Sequence, residues 1–224
     1  MANHKTLPLL ILTGLLLPCF LHCSGNEPAS LAGGLETTNG ISVHVDDGMI
    51  TGATTVPSSI IICDSRYTAP SVDTMWFSDT ITTGETGTFS LSGLPDGTYT
   101  LIARAGDLTG GCVIPGITVG NDTPDRQYDT IPFVPLAPLT VHTLTDATPC
   151  RNATVFIRGT TFNAVTGSDG ACTISEVPSG TYRIEAWYVL NKDTEPHLYT
   201  STVDDVVVAD TGSAILTMHL SMEF

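Results

Sequence analysis

The side chains with the greatest capacity for chemistry in this chain are six cysteines and six histidines. Thiolates and imidazoles bind zinc when ligand pairs recur at short spacings, and they act as nucleophile and base when the fold brings them together. The sequence contains no Cys-x-x-Cys, His-x-x-Glu or His-Glu-x-x-His motif, and it contains no Gly-x-Ser-x-Gly. We therefore expect no metal site, no cofactor and no catalytic residue, and we interpret His44 and His142 as solvent-facing.

Two of the cysteines follow an apolar segment near the N-terminus. Residues 7–17 form an apolar run that is interrupted only by a proline, a threonine and a glycine. This run is too short to cross a bilayer, and it suits the hydrophobic region of a secretion signal. Cys23 comes soon afterwards, and the polar tripeptide Ser-Gly-Asn follows it.

This leader resembles the lipobox of a bacterial lipoprotein, in which the signal is removed before a cysteine that is then acylated. The resemblance implies a signal peptide over residues 1–22, lipidation of Cys23 and a flexible tether over residues 23–39. His22 departs from the pattern, because a small residue stands there in the family, and an ordinary cleaved signal is the alternative. The expected partner is a lipid bilayer, and the expected location is the bacterial cell envelope, at the outer membrane or cell surface.

The rest of the chain contains an internal repeat. Residues 87–103 (GTFSLSGLPDGTYTLIA) align with residues 170–186 (GACTISEVPSGTYRIEA) at a constant offset of 83. Apolar and polar residues alternate in both copies, as in strands with one buried face. Proline followed two residues later by glycine is typical of a turn, because proline fixes φ and glycine adopts positive φ. Each copy therefore predicts a β-hairpin.

The repeated pattern also carries a family resemblance. Residues 83–101 and 166–184 share Gly followed by Leu/Val-Pro-x-Gly-x-Tyr-x-Leu/Ile, and both resemble the carboxypeptidase regulatory-like domain and the related Cna B-type repeats of surface adhesins. The resemblance implies an all-β chain with two tandem transthyretin-like (prealbumin-like) β-sandwiches of seven strands each, at residues 40–137 and 138–224. Domains of this kind serve as stalks, spacers and accessory modules, so the fold implies little about activity.

Four cysteines lie beyond the leader and divide equally between the two copies. Export would place them in an oxidising compartment, and three pairings are possible. The division favours bridges within each copy, Cys63–Cys112 and Cys150–Cys172. The alternative is four buried thiols that pack as small apolar side chains.

One segment of the first copy, residues 66–85, is much longer than its counterpart in the second. It carries Tyr67, Trp76 and Phe77, and aromatic side chains on an exposed loop can stack on a sugar or contact a protein. The same residues could instead form an extra strand or cap the sandwich. Trp187, next to Tyr188, is expected to pack in a core strand.

Charge narrows the choice of partner. The net charge is −15, with 8 Lys and Arg against 23 Asp and Glu, which argues against nucleic acid. We expect a membrane-anchored cell-envelope lipoprotein with a non-catalytic structural or binding role, and not an enzyme. One alternative is a surface adhesin that binds polysaccharide or another envelope protein through the Tyr67–Phe77 loop. A second alternative is a small hydrolase, which would need His, Asp and Ser side chains to converge in one pocket.

Overall fold

The computed structural model describes residues 39–46, 48–68, 78–85, 87–120, 125–192 and 195–222. These residues lie within one compact unit. Every regular element in the described ranges is a β-strand, which confirms the all-β class. Cys23, Trp76 and Phe77 lie outside the described residues, as do the expected signal peptide and the tether up to Thr38.

The first half of the body contains eight strands: β1 (Gly40–Asp46), β2 (Met49–Thr54), β3 (Ser58–Asp64), β4 (Ser78–Thr82), β5 (Thr88–Leu91), β6 (Gly97–Ala105), β7 (Gly111–Val119) and β8 (Arg126–Pro132). They form two four-stranded antiparallel sheets with the orders β5-β2-β1-β8 and β4-β3-β6-β7. Strand β4 comes from the longer segment of the first copy, so this half has eight strands where seven were expected.

The second half contains nine strands: β9 (Leu136–Thr145), β10 (Thr148–Pro149), β11 (Thr154–Ile157), β12 (Asn163–Val165), β13 (Ala171–Pro178), β14 (Gly180–Lys192), β15 (Glu195–Val208), β16 (Ala214–His219) and β17 (Ser221–Met222). One sheet is built around β9, which pairs with β10 and β13 and, in parallel, with β16. The other sheet has the order β12-β11-β14-β15-β17.

Each pair of sheets encloses its own hydrophobic cluster, as in a β-sandwich. Val43 of β1 and Leu101 of β6 belong to the first cluster, although they lie in different sheets. Val141 of β9 and Ile184 of β14 have the same relation in the second cluster. Full burial of such a side chain contributes about 1.5–3 kcal/mol, so the alternating apolar positions of the repeat supply much of the stability.

The proline–tyrosine spacing of the repeat has the same geometry in both halves. The Tyr99 hydroxyl donates to the carbonyl of Pro95 at 2.7 Å, and the Tyr182 hydroxyl donates to the carbonyl of Pro178 at 2.7 Å. In each half this tyrosine corner lies where the chain crosses from one sheet to the other. β5 and β6 are in different sheets, as are β13 and β14, so the prediction of a β-hairpin in each copy is wrong. The motif therefore recurs because it fixes the entry into β6 and β14.

The two halves pack directly against each other through the sheet that contains β3 and β6. Ile62 and Leu101 face the first cluster, whereas Cys63 and Ile102, next to them in sequence, belong to the second cluster. Both faces of this sheet are therefore buried. The Gly159 amide also donates to the Tyr67 carbonyl at 2.8 Å, which joins the second half to the chain after β3.

Arg104 of β6 makes the most extensive polar contact of this junction. Its Nη1 lies 3.2 Å from Glu176 Oε2, and its Nη2 donates to the Glu176 carbonyl at 3.3 Å. The guanidinium carbon also lies 4.7 Å from the centre of the Phe162 ring. Burial lowers the pKa of Arg104 below its ordinary value. A cation–π contact and an ion pair thus connect the two halves.

Glu176 takes part in this contact from a backbone conformation that normally favours glycine. Its φ is 57°, and the equivalent residue of the first copy, Gly93, has a φ of 72°. A side chain in the left-handed region costs about 1–2 kcal/mol. The second copy therefore carries this strain at the position from which Glu176 reaches Arg104.

Candidate functional site

The structure does not form the expected disulfides among the described residues, where Cys63, Cys112, Cys150 and Cys172 are all buried thiols. Cys63 pairs with Thr100 of β6 and Cys112 pairs with Ala103 of the same strand, so β6 lies between the two cysteines. Two strand spacings are about 9.6 Å, which exceeds the Cα separation of a disulfide. The Cys63–Cys112 prediction is therefore wrong.

The second expected bridge is not formed either. Cys150 and Cys172 both belong to the second cluster and both are free thiols. The Cys150 sulfur lies 2.6 Å from the Thr145 hydroxyl. Burial raises the pKa of Cys172 to about 11 and that of Cys112 to about 12. Thiols with such pKa values are almost entirely protonated at neutral pH, so they are poor nucleophiles and poor metal ligands.

Tyr67 lies at the junction between the two halves. Its side chain is half-buried against the second hydrophobic cluster, and its carbonyl accepts the Gly159 amide. Tyr67 thus has a structural role, and the binding loop at Tyr67, Trp76 and Phe77 stays a prediction. The other two residues lie outside the described ranges.

The outer face of the five-stranded sheet bears a different set of side chains with capacity for binding. Because partners in register share a face, the pairing defines rows across this sheet: Phe156 with Glu185 and Thr202, then Thr154 with Trp187 and Thr200, then Val189 with Leu198. Arg158 and Arg183 lie next to the first of these rows, on the side away from Trp187. An open cleft of about 510 Å³ lies over this face, and we call it the Trp187 cleft.

An ionic network forms one end of the Trp187 cleft. Arg158 Nε lies 2.9 Å from Glu185 Oε1, and its Nη2 donates to Oε2 at 2.9 Å. Arg183 Nε donates to the same Oε1 at 3.0 Å and lies 3.6 Å from a carboxylate oxygen of Asp204. The Glu185 side chain is only 9% exposed. Two cations and two anions balance in this network, so the end of the cleft is polar but neutral.

Trp187 stands on the outer face and not in the core, contrary to the sequence prediction. Ile184 and Ala186 of β14 point into the second cluster, and strict alternation therefore sends Glu185 and Trp187 outward. Tyr188 does pack against that cluster. The alternation of residues along β14 predicts this orientation, because Trp187 follows Ala186, which points inward.

A second concavity of about 410 Å³ lies between the two halves. It has a mostly apolar lining from β7, the β8–β9 connection and the end of β11, for example Val113, Val134 and Ile157. Burial raises the pKa of Tyr182, which lines it, so that hydroxyl stays protonated as a donor to the carbonyl of Pro178. Arg158 and Arg183 line both this groove and the Trp187 cleft.

The histidines do not form a site in the described part of the chain. His44 and His219 are exposed and His142 is half-buried, and no histidine lines the groove, the Trp187 cleft or the shallow pocket beside Val207. The described residues contain no group of three or more His, Cys, Asp or Glu side chains that could hold a metal ion. They also contain no helix with the length and apolar character needed to cross a membrane.

Comparison with known proteins adds no assignment. No known protein family matches the chain, and no curated protein is significantly similar to it.

Proposed function

We propose that the chain is a membrane-anchored lipoprotein of the bacterial cell envelope with a non-catalytic binding or structural role. In this proposal residues 1–22 are removed, Cys23 is acylated, and the following residues tether two carboxypeptidase regulatory-like domains to the bilayer. The support for the anchor is the apolar run followed by Cys23 and a Ser-Gly-Asn tripeptide. Two or more acyl chains hold a protein on a membrane durably.

The observation that carries the non-catalytic role is the ionic network of Arg158, Arg183 and Glu185. These are the charged side chains that line the Trp187 cleft, and they bond one another. A general base or nucleophile needs a group held ready for substrate, whereas this network presents a fixed polar surface on a rigid sheet. Such a surface suits recognition.

Cell fractionation tests the anchor. The wild-type protein should be recovered with the membranes and released by detergent but not by high salt, because acyl chains hold it and its acidic body does not. A Cys23→Ser variant should be retained as an uncleaved precursor or become soluble. A Cys19→Ser variant is the matched control and should behave as wild type. Release of the wild-type protein by salt alone would overturn the proposal.

A further inference from the structure

The floor of the Trp187 cleft combines an apolar and a charged side chain. Phe156 and Glu185 are almost fully buried beneath it, while Trp187 is half-buried and Thr202 is exposed. Leu198, 40% exposed, stands beside them. Four residues of strand separate Arg183 from Trp187, which is roughly 13 Å. The cleft therefore offers one elongated surface with an indole at one end and guanidinium groups at the other.

The charge balance of the cleft excludes a strongly charged ligand. The cations Arg158 and Arg183 are neutralised by Glu185 and Asp204. The whole chain has a net charge of −15, which repels polyanions at low and moderate salt. A cationic ligand would be repelled by the guanidinium groups of these two arginines. A neutral ligand with many hydrogen-bonding groups fits this environment best.

The remaining hydrogen-bonding capacity matches hydroxyl groups. Arg158 donates to Glu185 through Nε and Nη2, and Arg183 donates to it through Nε. Because a guanidinium has five N–H donors, each arginine keeps further N–H groups that can bond a ligand in the cleft. The Arg183 side chain is 56% exposed. Sugar rings combine an apolar C–H face, which an indole can cover, with a rim of hydroxyl groups that donate and accept.

We propose that the Trp187 cleft binds a neutral saccharide chain, with a sugar ring stacked on Trp187 and hydroxyl groups bonded to Arg183 and its ionic network. This inference rests on the proposed binding role and adds the class of ligand. It places the site on the five-stranded sheet of the second half, where Thr68 of the first half also lines the cleft.

Tryptophan fluorescence tests the inference, because the chain has only two tryptophans. The full-length lipoprotein in detergent, with Trp76→Phe, reports on Trp187 alone. It is titrated with neutral cello-, xylo-, manno- and chito-oligosaccharides and with anionic oligogalacturonate. At least one neutral oligosaccharide should change the emission saturably, and oligogalacturonate should bind at least tenfold more weakly. Failure of every neutral probe, or preference for the anionic one, would overturn the inference.

Variants assign the site, with affinity measured by calorimetry. Trp187→Ala should lower the affinity about tenfold or more, and Trp187→Phe should lower it less, since a smaller aromatic face remains. Arg183→Gln should also weaken binding and leaves the Arg158–Glu185 pair in place. Circular dichroism and melting temperature show that each variant is folded. Unchanged affinity in folded Trp187→Ala would contradict the proposal. Loss of binding with intact membrane anchoring would leave the proposed function standing.

Discussion

Arg104 offers the sharpest test of how the two halves are held together. The Arg104→Ala substitution removes the hydrogen bond to the Glu176 carbonyl, the ion pair with the Glu176 carboxylate and the contact with the Phe162 ring. All three partners lie in the second half, so the substitution acts on the junction. The first cluster contains none of the three groups.

The expected loss of unfolding free energy is about 2 kcal/mol. The carbonyl hydrogen bond contributes about 1 kcal/mol, and the cation–π contact about 0.5–1 kcal/mol. The ion pair adds at most about 1 kcal/mol, because Glu176 is 43% exposed and water screens the charge. Arg104 Nε is buried without a hydrogen-bond partner, and its removal offsets about 1 kcal/mol of the loss. Loss of the packing of the Arg104 side-chain stem destabilises the folded state by a similar amount, so the two effects cancel.

Urea and thermal unfolding measure the effect. A loss of 2 kcal/mol corresponds to a fall in melting temperature of about 4–8 °C for a body of this size. Arg104→Met keeps the stem and should lose less. A double-mutant cycle with Phe162→Leu should give a coupling of about 0.5–1 kcal/mol. Unfolding in two separate transitions, only one of which shifts, or a loss below 0.5 kcal/mol, would refute the account of the junction.

Three further predictions concern the repeat and the thiols. Tyr99→Phe and Tyr182→Phe should each lower the free energy of unfolding by about 1 kcal/mol in urea titrations, because each leaves a proline carbonyl without its donor; an effect in one half alone would contradict the shared geometry. Gly93→Ala should cost about 1 kcal/mol, since φ is 72° and the added methyl group meets no atom within 4 Å, and Glu176→Gly should be more stable than Glu176→Ala by a similar amount. Because burial raises the pKa of Cys112 from 9.0 to about 12, the folded state holds the thiol proton more tightly, and stability should fall as pH rises above about 9. Urea titrations at pH 8 and 10 should show this slope, and it should be smaller in Cys112→Ala.

The strands and the turn of the repeat were predictable because their signals are local. Their pairing as hairpins was not, because β5 and β6 lie in different sheets and so do β13 and β14. Alternation of apolar residues over 87–103 and 170–186 determines which side chains point inward, and the same spacing of proline and tyrosine produces the same corner twice. The class of the fold follows from these elements. The additional strand β4 was not predictable, because the sequence allowed either a strand or a cap for that segment.

The junction and the cleft depend on contacts between distant residues, which the sequence does not display. The strand that contains Ile60 to Cys63 has both faces buried, and its sequence does not show what covers each face. The cysteine pairing failed for the same reason: equal division between copies says nothing about which face a thiol occupies. Trp187 could have been placed outward by its alternation with Ala186. That Trp187 and Arg158 line the same cleft depends on the register of β11 and β14, which the sequence does not show.

The mass of the intact protein extracted from membranes tests the central claim most directly. The mature lipoprotein should begin at Cys23 and carry acyl groups on that residue. After denaturation without reductant, it should gain mass from thiol alkylation at Cys63, Cys112, Cys150 and Cys172. A mass that retains the leader, or an unmodified chain cut elsewhere, would contradict the anchored lipoprotein. A mass without four reactive thiols would contradict the described core.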